Sequence, residues 1–226
     1  MVFGILLAFV LSVVDFATEG LFSKANQNKM KFISFAAGVS VAYIFLILLP
    51  EIYTRSLEIN RLLLLAVLFG FALFHIIEKY IRQNYHGNKL RKEHYLAHSA
   101  ISFVYFLVVG YILAEVTANN LTDGILLFVP VALHIIIDSL PRRATKNLWV
   151  RLFSSSSSVL GASIYLLIDL GPVEDTVLLG VVGGGLLYHV IRESLPKDRE
   201  GKPMFFITGL LLFTVLILLL WNIGFD

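Results

Sequence analysis

The sequence predicts an all-α membrane protein, a single domain over residues 1–226 built as a bundle of eight transmembrane helices with both termini extracytoplasmic. Three observations predict it. The 226 residues are 58% hydrophobic and only 15% charged, with a mean hydropathy of +0.82, whereas soluble domains carry about 25% charged residues. The apolar residues gather into eight unbroken runs, each close to the roughly 20 residues that a membrane-crossing helix requires. The basic residues sort between alternate loops, as the positive-inside rule demands.

The runs follow in order. Val2–Phe22 has no basic segment before it and reads as a span, not a cleaved signal. Phe32–Tyr53 contains Gly38, a small residue that permits close helix approach. Leu62–Ile81 ends in FHIIEKY, Tyr95–Val116 opens with HYLAHSAIS, and Gly124–Leu140 carries Pro130 ahead of ALHIIIDSL. Leu152–Asp169 begins in the serine run Ser154–Ser158, whose hydroxyls either bond their own helix or line a water-filled path. Thr176–Ser194 holds Gly180, Gly183, Gly184 and Gly185 before YHVIRESLP, and Met204–Asn222 is almost wholly apolar. None alternates with period two, which excludes barrel strands.

Of the 18 Lys and Arg residues, all but Arg55 and Arg61 fall in the first, third, fifth and seventh loops. Those loops are therefore expected in the cytoplasm; the longest is Arg82–His94, with His86 and His94. The chain has no cysteine, so disulfides, thiolate metal ligands and cysteine nucleophiles are excluded together. Little sequence remains for a soluble domain, and nothing suggests nucleic-acid binding. The lipid bilayer is the expected partner, in the plasma (inner) membrane.

An ionisable side chain in hydrocarbon costs at least about 2.5–3.5 kcal/mol on insertion scales, so several in one bundle point to use. Here they pair at helical spacing. His134 and Asp138 lie one turn apart, as do His98 and Ser102, and His189 and Glu193; His75 and Glu78 stand at i,i+3. His134 is about 15 Å into its helix, near mid-membrane, with Ser102 at comparable depth. If those two helices are neighbours, His98, Ser102, His134 and Asp138 form a two-layer cluster suited to a borderline divalent cation. A buried helix–helix hydrogen bond is the alternative for His134. For His75, Glu78, His189 and Glu193, near the cytoplasmic interface, the alternative is snorkelling or pairing with Lys79 and Arg192.

Several segments, taken in order, resemble the ZIP (Zrt/Irt-like) metal transporters. FAAGVSVAYIFLILLPEIY resembles that family's second helix with its Leu-Pro-Glu turn, here Leu49-Pro50-Glu51. VLGASIYLLIDL and VVGGGLLYHVIRESLP resemble its sixth and seventh helices, and HSAIS and HIIID stand where the metal-binding motifs of helices four and five lie. The resemblance implies an importer of a divalent cation, zinc foremost, often a homodimer, with the metal as substrate and no prosthetic group. Its site would lie between helices four, five and six, with His98, Ser99, Ser102, His134, Asp138 and Ser158 as ligands. His75, Glu78, His189 and Glu193 would line the cytoplasmic exit path.

The chain departs from the family pattern. Ser102 and Ser158 stand where the family has glutamates, Phe103 replaces a glycine, and the fourth-helix motif proline is missing. One aspartate cannot balance two divalent ions in a low dielectric, so at most one metal site is expected. Two other readings remain. One is an intramembrane zinc hydrolase using His98, His134 and Asp138 with Ser102 nearby. The other is a ZIP-like sensor or scaffold that binds metal without moving it, which the missing glutamates favour.

Overall fold

The computed structural model describes residues 2–18, 27–84, 87–139, 148–168, 170–194 and 201–223. Among the described residues the backbone is helical, with short turns and no strand. The helices are α1 (Val2–Thr18), α2 (Gln27–Tyr43), α3 (Leu49–Ile59), α4 (Leu65–Asn84), α5 (Gly87–Asn119), α6 (Leu121–Ser139), α7 (Leu148–Ser155), α8 (Ser157–Leu167), α9 (Pro172–His189) and α10 (Pro203–Ile223). Among the described residues, four segments are long and apolar enough to cross a membrane: Lys29–Ile59, Ala100–Asn119, Pro172–Arg192 and Pro203–Asn222. Val2–Thr18, Arg61–Ile77, Leu121–Ile137 and Ser157–Leu167 are apolar but shorter. The protein is an all-α membrane protein.

Glycine-notched seams hold the bundle together. A methyl group on Gly38 of α2 would overlap the Phe206 carbonyl of α10, and one on Gly209 of α10 would overlap the Phe35 carbonyl of α2. The α4–α9 seam repeats the device, with Gly70 against Val181 and Gly184 against the Val67 carbonyl. So does α5–α8, with Gly110 against the Ser158 carbonyl and Gly161 against that of Leu107. In each pair the missing side chains let two backbones touch. Dispersion and close packing bind membrane helices in this way where lipid removes the hydrophobic drive. Around these seams the interior is filled by Leu11, Ile44, Leu48, Ile112, Leu113, Leu127, Ile135, Leu179 and Leu186. Leu211, Leu212, Val215, Leu219 and Trp221 on α10 stay exposed, as a lipid-facing surface would.

Three local irregularities have identifiable causes. Between α2 and α3 the helix widens into a π turn, Ile44–Leu48, where the Leu49 N–H reaches back to the Ile44 carbonyl. Pro50 follows at once, and the wider turn accommodates a ring that has no N–H to offer. A second π turn, Val190–Ser194, extends α9 just before the sequence Leu195-Pro196. The sixth apolar run is divided at Ser156, between α7 and α8. There Ser156 Oγ donates to the Phe153 carbonyl at 2.8 Å and Ser155 Oγ to that of Leu152 at 3.3 Å. The serine hydroxyls here bond their own helix, which competes with the backbone ladder.

The segment Arg82–His94, read from hydropathy as a loop, is helical over most of its length, because α4 runs to Asn84 and α5 starts at Gly87. Lys, Leu, Arg and Glu are good helix formers. Hydropathy marks where apolar sequence stops, which is not where the helix stops. The same holds for α3, which continues past Tyr53 to Ile59 through charged residues.

Candidate functional site

The chemistry-bearing side chains gather where α4, α5, α6 and α9 converge. His134 sits on α6 one turn after Pro130, inside a helix that the proline does not end. It is 3% exposed, and His189, the last residue of α9, is 8% exposed. The two imidazole rings face each other with centroids 4.6 Å apart and planes inclined at 48°. No other pairing of candidate ligands is so close among the ring contacts of the described residues.

An aromatic wall encloses the pair. Phe74 from α4 lies 4.9 Å from His189, edge-on, and Tyr105 from α5 lies 5.8 Å from His189 and 6.4 Å from His134. Phe106 approaches His134 at 6.2 Å, and Tyr188 lies 5.8 Å from its neighbour His189. Tyr105 is held by a hydrogen bond of 3.4 Å from its hydroxyl to the Val182 carbonyl. Gly185 makes room for this wall: a methyl there would meet the rings of Phe74 and Tyr105 at 2.8 Å.

The structure distributes the sequence-predicted ligands as follows. Ser102 is buried on α5, one turn before Tyr105 and Phe106, the two rings that meet His134. Ser158 is also buried, on α8, but its backbone carbonyl is packed into the notch at Gly110, further along α5. His75 is exposed on α4 and touches the Tyr188 ring at 6.1 Å. His98 and Ser99 belong to α5, Asp138 to α6, Glu78 to α4 and Glu193 to the π turn after α9, and their side chains lie outside the described residues. Among the described residues no group of three or more His, Asp and Glu converges as a metal site.

Sequence spacing treated His189 as part of an exit path and His134 as a partner of helix four. It did not bring the two histidines together, because their helices are not consecutive. A signal was present: the run Gly183–Gly185 thins α9 just before Tyr188-His189 and lets another helix approach. The aromatic wall carries no such signal, since Phe and Tyr are ordinary span residues.

At the opposite ends of these helices stands a second polar group. Arg55 on α3 donates from Nε to Glu51 Oε1 at 2.6 Å and from Nη1 to Glu115 Oε1 of α5 at 3.1 Å. Asn119 Nδ2 reaches the same Glu115 oxygen at 2.7 Å. Tyr111 donates to Asp175, at the start of α9, at 3.1 Å. Arg55 is one of the two basic residues outside the basic loops, and an acidic partner on another helix accounts for it.

What the pair can do follows from imidazole chemistry. Each ring offers a nitrogen to a borderline cation. His134 and His189 are the residues that would hold such an ion, with ring centroids 4.6 Å apart. The sequence matches no protein-family model and no curated protein.

Proposed function

We propose that this protein is a ZIP-like transporter that carries a divalent metal cation of the zinc, iron(II) or manganese class toward the cytoplasm. In this reading the eight apolar segments cross the membrane and both termini lie outside, which is what the sorting of Lys and Arg between alternate loops supports. The observation that carries the proposal is the contact between His134 and His189 inside the bundle. Two imidazoles brought together inside the bundle from α6 and α9 make a ligand pair suited to a borderline cation.

The cation would leave water for His134, with His98, Ser99, Ser102 and Asp138 completing its shell along α5 and α6, and Ser158 beyond. His189 joins this set from α9, earlier on the route than the sequence alone suggests. Glu193, Glu78 and His75 would receive the ion toward the cytoplasm. A route of several weak ligands releases what it binds, as conduction requires. The single carboxylate of Asp138 balances one divalent ion at most.

The test is uptake of zinc, cadmium, manganese and iron(II) into proteoliposomes by the parent chain and by a folded His134→Ala/His189→Ala variant. Saturable uptake that the variant loses is the expected result. Uptake retained by the variant would move the path elsewhere in the bundle, and no flux for any metal would end the transport reading.

A further inference from the structure

The helix α3 is joined to the rest of the bundle unlike its neighbours. It continues α2 within one apolar segment, Lys29–Ile59, but the π turn Ile44–Leu48 and Pro50 interrupt the ladder between them. Before that turn the segment is fixed, because Gly38 locks α2 backbone-to-backbone on α10. Beyond it no such seam is found among the described residues; Ile52 rests on Gly183 of α9, and the end of α3 is tied to α5 by Arg55 and Glu115. π turns and prolines are where helices bend.

Glu115 is an unusual anchor. It is 5% exposed, and its Oε1 takes both Arg55 and Asn119 while its buried Oε2 has no hydrogen-bond partner among the described residues. The guanidinium is the cation that keeps this carboxylate inside. Glu51, on the other side of Arg55, is 48% exposed and open to an arriving ion. On α5, Glu115 lies thirteen positions beyond Ser102, about 20 Å along the helix, so the tie stands at the end of the bundle away from the histidine pair.

We propose that the Arg55–Glu115 ion pair is a latch that holds α3 down on this end of the bundle, with α3 as the moving arm and the π turn at Ile44–Leu48 as its hinge. A divalent cation drawn to the exposed Glu51 competes with Arg55 for the carboxylates and releases the arm. As a gate for a metal ion, the latch rests on the transport reading; as a tie on α3, it is testable without any metal.

The chain has no cysteine, so one introduced thiol reports alone. Ser56, next to Arg55, is 0% exposed, and Ser56→Cys places the reporter on the inner face of the arm. Labelling by a charged, membrane-impermeant maleimide should be slow in this background and at least tenfold faster after Arg55→Gln or Glu115→Gln. Arg55→Lys, which keeps the charge, should stay near the slow rate. Ala162→Cys on α8, also 0% exposed, should stay slow in every background. An unchanged Ser56→Cys rate after Arg55→Gln overturns the latch, and so does equal acceleration at Ala162→Cys, which would mean general loosening. Zinc added to the parent should speed labelling at Ser56→Cys alone; no response to zinc, with the Arg55→Gln effect intact, keeps the tie and removes the metal from it. Uptake measured on the same samples separates failure of the latch from failure of transport.

Discussion

The rings of His134 and His189 lie 4.6 Å apart although they come from α6 and α9, helices that are not adjacent in the chain. Each ring also touches Tyr105, so three helices meet at one point in the interior. A ligand bound by both imidazoles would bridge α6 to α9 and stabilise the whole bundle, because it binds the folded state alone.

That bridge gives the first prediction. Zinc at about 100 times its dissociation constant should stabilise the detergent-solubilised protein by ~2.7 kcal/mol. His134→Phe and His189→Phe, which keep much of the ring volume, should each remove most of this stabilisation. The double variant should be no worse than either single one, since the pair acts as one site. Thermal unfolding with and without zinc reads all four species; additive losses would mean that the histidines act separately.

The second prediction concerns stoichiometry. Ser102 stands one turn from Tyr105 and Phe106, and in the proposed reading it replaces a glutamate, leaving too little charge to hold two ions. Equilibrium dialysis should find no more than one zinc per chain. Ser102→Glu, which returns a carboxylate to that turn, should raise zinc affinity at least tenfold or admit a second ion, with slower turnover in uptake. Unchanged affinity and stoichiometry would place residue 102 off the metal's route.

Glycine seams make a third prediction that is independent of any metal. A methyl at Gly184 would run into the Val67 carbonyl, backbone that cannot yield without separating α4 from α9. Gly184→Ala should therefore destabilise the fold by about 1–3 kcal/mol, the usual range for overpacking. Gly171→Ala is the control, since its methyl would meet only the carboxylate end of Glu174, which can swing away. Unfolding titrations in mixed micelles should separate the two variants clearly.

Much of this fold is legible in the sequence because hydropathy and charge act locally. Apolar runs mark the helices, and the α2–α10 and α4–α9 seams involve small residues visible beforehand, Gly38 and Gly184. Hydropathy does not see where a helix ends once it leaves the apolar run, so α5 begins well before its apolar stretch. Nor does spacing reveal which helices touch. Pairs at i,i+4 on one helix are evident, whereas His134 meeting His189 depends on the packing of α9 against α4 and α5. Arg55 is legible as an exception to the charge sorting, but its partner Glu115 is not, because the tie depends on how α3 leaves its π turn.

Pro130 supplies the last prediction. It lies inside α6, where it can donate no backbone hydrogen bond to the Leu126 carbonyl one turn earlier, and His134 follows one turn later. The helix tolerates the loss because its neighbours hold it. Pro130→Ala restores one hydrogen bond, worth about 1 kcal/mol net, and should raise stability by roughly that amount. If α6 flexes there to pass an ion from His134 toward Asp138, the stiffened helix should bind zinc as before but turn over severalfold more slowly. Initial rates of uptake set against zinc affinity distinguish the cases. Greater stability with unaltered turnover would show that the proline is a packing feature and that the ion moves without bending α6.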